Sequence, residues 1–413
     1  MKLEILPAQQ GDCLLLHGEV GDDGQPGLIL IDGGPAGVAG DTLLPRLKAL
    51  REERALGDDD PLVIDLVIVS HVDDDHINGV IDLLEAMLDR ERENDPPLFK
   101  VRGLWHNSFD RVLGNDETGG LLSTTQFGTA SMQPVIEEAD EGPSTDHAKI
   151  LASVAQGDNL RNLAEALDIP VNAEFGGHLI QTRADGPAVH TVAGVELTVL
   201  GPRQAELVEL QKEFDKWLAK QPFAERTEQS LLASLDDESA SNLSSIVVLA
   251  KVGDKAILLT GDARSDKVLE GMEESHLLGD GGSREVTALK MPHHGSIRNL
   301  DDGGEFVGRV ISGNYVFSGN GEHGNPDRET LELLLRARPD ADMKLYFTYP
   351  LAKIDQVRHE VHEHERSKRI KKGKPGGPEW SDATHSLTAL LSQPPAGVTV
   401  VEHGGGDDER LTI

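Results

Sequence analysis

The chain has 413 residues, with 39 Lys+Arg against 72 Asp+Glu for a net charge of −33, one cysteine and 4% aromatic residues. That length suffices for a substantial core in one large domain or two ordinary ones, while the charge argues against a broad, non-specific binder of nucleic acid. The lone Cys13 excludes an internal disulfide, and no apolar run approaches the ~20 residues of a membrane span.

Strands are predicted over 2–6, 13–17 and 27–31, the last ending in the tight turn Asp32-Gly33-Gly34-Pro35. A helix pattern covers 43–54. Leu62-Val63-Ile64-Asp65-Leu66-Val67-Ile68-Val69 is β-branched and apolar almost throughout, as one strand buried on both faces would be. It feeds the run Ser70-His71-Val72-Asp73-Asp74-Asp75-His76, after which Asn78-Gly79-Val80-Ile81-Asp82-Leu83-Leu84 opens a helix with apolar residues at i, i+3 and i+4. Further strands are predicted over 98–105, 195–200, 245–252, 256–259, 286–290 and 315–318, with helices near 204–220, 265–273 and 328–337. Strand alternating with helix points to an α/β protein and not to an all-β barrel. Residues 108–187, rich in Gly, Thr, Ser and Asp, read as an insertion bordering the site within a main domain spanning 1–350. Residues 351–413 read as a C-terminal extension packed on the same domain. They carry a basic strip over 366–374, the loose stretch Pro375-Gly376-Gly377-Pro378, and short strands over 387–391 and 398–402.

The run at 70–76 is the most informative stretch of the chain. His71, Asp73 and Asp75 stand at i, i+2 and i+4, with His76 next to the last, on a turn between a rigid strand and a helix. Imidazole nitrogen and carboxylate oxygen both suit Zn²⁺, and an oxygen-rich set also admits Mn²⁺ or Fe²⁺. A solvated acidic loop is the competing interpretation, but histidines framing the carboxylates at a strand end favour a metal. A second piece is Leu259-Thr260-Gly261-Asp262, where Asp262 is either a carboxylate bridging two metals or a helix N-cap. The third is Lys290-Met291-Pro292-His293-His294-Gly295-Ser296. Neighbouring side chains diverge on an extended backbone, so one ring of this doublet is expected to ligate and the other to serve a neighbour or the substrate.

These strand-end pieces, in this order, resemble the metallo-β-lactamase fold superfamily, and within it the soluble hydrolase domain of ComEC-type competence proteins. The resemblance also takes in Gly11-Asp12-Cys13, Leu30-Ile31-Asp32-Gly33-Gly34, Leu197-Thr198-Val199-Leu200-Gly201-Pro202 and Asn242-Leu243-Ser244-Ser245-Ile246-Val247. It implies a four-layer αβ/βα sandwich with a metal site between two sheets. His71, Asp73, Asp75 and His76 match the first ligand motif, Asp262 the bridging aspartate, and His293 or His294 the final histidine. Asp73 stands where the commonest motif has a second histidine, as in the competence branch. Asn242 stands where a middle histidine usually completes one metal's shell, so the implied complement is one or two ions. In such a site Asp75 would orient the attacking water and act as general base.

Gly319-Asn320-Gly321-Glu322-His323-Gly324-Asn325-Pro326 occupies the place of a Gly-His-Pro turn in the competence branch, so His323 or Asn325 could contact a phosphate; a plain glycine-rich turn is the alternative. His359, His362 and His364 lack the spacing of a His-Glu-x-x-His zinc motif and read as a solvated helix face. His106, after a strand, either reaches the site or is structural, the second being favoured, and Cys13 reads as a core thiol. The strip 366–374 is either a guide for a nucleic-acid backbone or a mobile solvated loop. The N-terminus Met1-Lys2-Leu3-Glu4-Ile5-Leu6-Pro7 lacks a secretory signal pattern, so the expectation is a cytoplasmic protein with no membrane contact. The function the resemblance implies is a metal-dependent hydrolase of phosphodiester bonds, a nuclease or nucleotide phosphodiesterase using zinc, or manganese or iron in its place. The alternatives are an ester, lactone or amide hydrolase on the same site, or a non-catalytic binding or regulatory protein on a degenerate hydrolase scaffold.

Overall fold

Apolar side chains that alternate between two covered faces build the first sheet. In the computed structural model, which describes residues 1–21, 24–107, 145–182, 186–208, 244–279, 281–300, 303–404 and 411–413, β1 (Lys2–Ile5), β2 (Leu14–Val20) and β3 (Pro26–Ile31) form an antiparallel meander. After α1 (Leu44–Glu53) come β4 (Leu62–Ile64) and β5 (Leu66–Val69), then α2 (Asp74–Arg92), β6 (Phe99–Val101), β7 (Leu104–His106) and α3 (Thr145–Ala166). The expected single strand over 62–69 is therefore two. β4 pairs with β6 in a small sheet, while β5 joins β3 and β7 in parallel. The break falls at Asp65, whose Oδ2 accepts from the Leu28 backbone N at 2.9 Å and whose Oδ1 meets Arg102 at 2.7 Å. A side chain bonded in this way cannot lie in a continuous apolar ladder.

The second half repeats the scheme. β8 (Ala188–Val192), β9 (Val195–Gly201), β10 (Val247–Val252) and β11 (Lys255–Leu259) form a second antiparallel meander, followed by α4 (Ser265–Glu274), β12 (Arg284–Val286) and β13 (Ala288–Lys290). The chain continues through α5 (Glu305–Arg309), β14 (Val310–Ser312), β15 (Asn314–Phe317), α6 (Arg328–Ala337), β16 (Met343–Phe347) and α7 (Leu351–Lys371). It ends with α8 (Asp382–His385), α9 (Leu387–Leu391), β17 (Val398–Glu402) and β18 (Leu411–Thr412). The large sheets run β18-β1-β2-β3-β5-β7 and β17-β16-β15-β13-β11-β10-β9-β8, and β12 pairs with β14 in a further small sheet. The segment after residue 350 thus contributes a strand to each large sheet.

Alternate residues of each strand go to different cores. Leu14, Leu16, Ile29, Ile31 and Ile68 lie in a cluster with Leu197, Val199, Val248, Ile257 and Leu259 of the second sheet. Their neighbours Leu15, Leu28, Leu30 and Val67 join Leu47 and Leu50 of α1, Val80 and Leu84 of α2, and Leu160 of α3. Leu249, Leu258, Leu289 and Tyr315 face Leu269 of α4, Leu331 of α6 and Ile354 of α7. This is a mixed α/β protein, and burial on both faces explains why its strands read as unbroken apolar runs.

The stretch 387–391 is a helix and not the expected strand. Asp355 accepts from the backbone N of Leu387 at 2.8 Å and of Thr388 at 2.9 Å, while Ser386 Oγ accepts from Ala389 N at 3.0 Å. Capping by a distant aspartate decides a run too short for its period to be read. The strip 366–374 is helical as far as Lys371 and so is not a loop throughout. His359 and His364 are exposed on that helix, and His362 is half-buried. No helix among the described residues is long and apolar enough to cross a membrane. The part of the expected insertion that covers 108–144 lies outside the described residues.

Candidate metal centre

The carboxyl ends of β3, β5, β11, β13 and β15 open toward one place, and the residues just past them carry the chemistry. β3 delivers Asp32, β5 delivers Ser70 and His71, β11 delivers Asp262, β13 delivers His293 and His294, and β15 delivers Ser318. Asp12 enters from the turn between β1 and β2. Helix α2 begins at Asp74, earlier than its apolar pattern suggests, so Asp75 and His76 sit in its first turn with Asp73 at the N-cap position.

Asp262 is the hub. Its Oδ1 lies 3.4 Å from His76 Nε2 and 3.6 Å from His294 Nε2, and its Oδ2 lies 3.7 Å from both His71 Nε2 and His293 Nε2. Asp73 Oδ2 is 3.4 Å from His71 Nε2. Asp75 Oδ1 is 3.9 Å from His76 Nε2 and its Oδ2 3.6 Å from His294 Nε2. Both members of the histidine doublet therefore reach one carboxylate from opposite sides, contrary to the expectation from an extended backbone. The cause is a left-handed pair, with φ 45° at His293 and 54° at His294, which sets the two rings at 87° to each other.

A chain of partners fixes the far side of each ring. His76 Nδ1 lies 2.9 Å from Asp32 Oδ2, and a carboxylate only accepts, so Nδ1 carries the proton. Ser70 Oγ gives its one proton to Asp32 Oδ2 at 2.7 Å, so toward His71 Nδ1 at 3.0 Å it accepts. Ser318 Oγ gives its proton to Asp12 Oδ1, so toward His294 Nδ1 at 3.2 Å it accepts as well. All three rings are thereby held with Nδ1 protonated and Nε2 turned toward Asp262. Metal-ligating histidines are oriented in this way.

His71 Nε2, His76 Nε2, His294 Nε2 and Asp262 Oδ1 are buried and have no hydrogen-bond partner. Buried polar atoms are rarely left so, and four converging on one place could hold a cation. Asp12, His76, Asp262 and His294 offer ligand atoms within 4.8 Å of one another, as do His71, Asp75 and His76. Asp12 stands on the Nδ1 side of its histidines and is occupied by Ser318 and Lys290, so it serves better as an orienting group than as a ligand. Electrostatics agree with a cation. Burial opposes charge on His294, yet Asp262 and Asp12 push its pKa up to about 9, and Asp262 and Asp32 raise His76 well above the usual range. The residues fit a divalent metal.

Of the residues singled out from sequence, His71, Asp73, Asp75, His76, Asp262, His293 and His294 come together. Asn242 lies outside the described residues. Asn325 is buried near Gly319, where an added Cβ would stand 3.6 Å from the His294 Cβ, whereas His323 is exposed on the turn Glu322–Gly324. Sequence reasoning assigned no role to Asp12, Asp32, Ser70, Ser318 or Lys290. The usable signal was a lysine inside the apolar run Ala288-Leu289-Lys290-Met291, where a charge demands a buried partner.

Two glycines set the distance between α2 and the turn after β3. Gly33 N donates to His76 O at 2.8 Å and Gly79 N to Gly34 O at 2.9 Å. A Cβ on Gly79 would lie 1.9 Å from Gly33 O. Gly79→Ala should therefore destabilise the protein by about 1–3 kcal/mol through overpacking, although alanine has the better helix propensity. Urea unfolding decides the matter, and a gain in stability would remove this account of the contact. A scan of protein-family models found no match to this chain, nor did a search of curated proteins.

Proposed function

We propose that this chain is a metal-dependent hydrolase of the metallo-β-lactamase type, its three cores being the interfaces of a four-layer αβ/βα sandwich. The observation that carries the proposal is the convergence of His71 Nε2, His76 Nε2, His294 Nε2 and Asp262 Oδ1, all buried and unpartnered. Two positions suit divalent ions. One would be held by His71, Asp73, His293 and Asp262 Oδ2, the other by Asp75, His76, His294 and Asp262 Oδ1. The mixed nitrogen and carboxylate set favours Zn²⁺, with Mn²⁺ or Fe²⁺ as substitutes.

When bound, such ions supply Lewis acidity toward a phosphoryl or carbonyl oxygen and make water acidic near neutral pH. The protein supplies the rest. Asp75, with its side chain 20% exposed, can meet water. Burial would raise its pKa, but His76 and His294 hold it below the usual carboxylate range, so it stands ionised and can orient a water as the proposed general base. His71, His76 and His294 keep their Nδ1 protons on Ser70, Asp32 and Ser318 throughout. A phosphodiester is the proposed substrate class, on the resemblance to competence proteins and on the exposed Lys368, Arg369, Lys371, Lys372 and Lys374 at the end of α7, which suit a nucleic-acid backbone.

Purified protein should contain near-stoichiometric metal by mass spectrometry and should hydrolyse bis-p-nitrophenyl phosphate faster than p-nitrophenyl acetate. Chelation should stop turnover. Faster acetate cleavage would shift the substrate class to esters, and protein without metal would leave a binding scaffold. Neutralising Lys368, Arg369, Lys371 and Lys372 together should flatten the salt dependence of DNA binding, by a slope of roughly 0.7–0.9 per lost phosphate contact.

A further inference from the structure

Lys290 ends β13 with its side chain 1% exposed, inside the core, and is not a candidate ligand. Its Nζ lies 2.5 Å from Asp12 Oδ2 and 3.6 Å from Asp262 Oδ1, and donates to Gly261 O at 3.0 Å. Asp12, 2% exposed, accepts from Ser318 Oγ through its other oxygen and stands 3.5 Å from His294 Nδ1 and 3.8 Å from His76 Nδ1. A buried ion pair thus stands behind two rings whose opposite nitrogens face Asp262. The ammonium touches both Asp12, which takes the proton of the Ser318 hydroxyl behind His294, and the carbonyl one residue before Asp262.

We propose that Lys290 is a positioning residue, a fixed ammonium that locks Asp12 behind His76 and His294 and holds the Gly261–Asp262 turn so that both Nε2 atoms and Asp262 Oδ1 present one preformed ligand set. The inference rests on the metal-centre reading and deepens it. It carries a sign that simple charge does not. An ammonium 3.6 Å from Asp262 Oδ1 repels a cation bound there, so electrostatics alone makes its removal tighten metal binding. If Lys290 works by position, its removal weakens binding.

The test is Zn²⁺ affinity, measured by competition with a chromophoric chelator on protein shown by circular dichroism to be folded, for wild type and Lys290→Met. Where the unpaired Asp12 keeps that variant from folding, Lys290→Met/Asp12→Asn removes both buried charges and takes its place. Either variant is expected to bind Zn²⁺ roughly 10–100-fold more weakly. In the Zn²⁺-loaded proteins, imidazole ¹⁵N shifts should report His294 with Nδ1 protonated in the wild type and as mixed tautomers in the variant, while His76, held by Asp32, keeps its Nδ1 proton in both. Unchanged or tighter Zn²⁺ binding by a folded variant overturns the positioning role alone. A wild-type protein that takes up no Zn²⁺ overturns the metal centre and this role with it.

Discussion

Asp262→Ala should strip the protein of bound metal and lower phosphodiester hydrolysis by about 10³-fold or more, with the fold intact. Among the described residues, no other side chain in the centre is placed within 3.4–3.7 Å of all of His71, His76, His293 and His294. Removing it leaves each proposed ion short of an anionic ligand and separates the two positions. Electrostatic stabilisation by metal is worth several kcal/mol, and ~4 kcal/mol corresponds to about three decades in rate. The turn does not depend on the lost carboxylate, because Asn299 Nδ2 donates to the Asp262 backbone oxygen at 2.9 Å and His293 N donates to Gly261 O at 3.2 Å. Asp75→Ala makes the contrast. Asp75 lies 3.9 Å from His76 and 3.6 Å from His294 and is proposed to serve one ion alone, so that variant should lose turnover while keeping part of its metal. Metal content by mass spectrometry, circular dichroism and turnover of bis-p-nitrophenyl phosphate suffice. Zinc and activity both retained by Asp262→Ala would end the case for a bridging carboxylate.

What could be seen in the sequence was chemical type, and what could not was direction. The strand ends announced themselves because β5, β11 and β13 are apolar until their last residues and then change abruptly to His or Asp. Which atoms converge was not legible. Residues 293 and 294 looked mutually exclusive on an extended backbone, and only the left-handed pair at φ 45° and 54° lets both rings meet Asp262. Asp12 and Asp32 stood in quoted motifs without a role, since their partners Lys290, Ser318, His76 and Ser70 are remote in the chain. The same limit applies to the fold. Asp65 splits an apolar run by bonding to Leu28 and Arg102, and Asp355 turns 387–391 into a helix from more than thirty residues away. Each of these corrections comes from one polar side chain with a distant partner, a kind of contact that periodicity cannot register.

The largest stability effect is expected far from the metal centre, at Glu4. As the middle of β1 it points away from Leu3 and Ile5, which face the core between the sheets, and so lies under α1 where an apolar residue would be ordinary. Its carboxylate is fully buried. It accepts from Arg46 Nε at 2.8 Å, Arg46 Nη2 at 2.9 Å and Lys2 Nζ at 2.6 Å, with His17 Nε2 at 3.3 Å, while Arg46 also binds Glu53. Glu4→Gln keeps the volume and leaves the Arg46 guanidinium, 7% exposed, without its buried counter-charge, at a cost of about 3–5 kcal/mol. Glu4→Leu with Arg46→Met removes both charges, and because the pair's desolvation cost goes with it, the double variant should recover most of that loss. The pH dependence fixes the sign. Burial alone would raise the Glu4 pKa, but the bonds from His17, Arg46 and Lys2 outweigh it and hold the carboxyl well below its ordinary range. Below about pH 4.3 the unfolded chain takes up a proton at this position that the folded chain refuses. The Glu4 contribution is therefore full above that pH and shrinks as pH falls, by about 1.4 kcal/mol per unit. Urea unfolding of wild type and Glu4→Gln at pH 7 and pH 3.5 isolates it, because acid effects elsewhere are common to both. The gap between the two proteins should narrow on acidification, and a gap that widens would mean the buried carboxyl is protonated in the folded state.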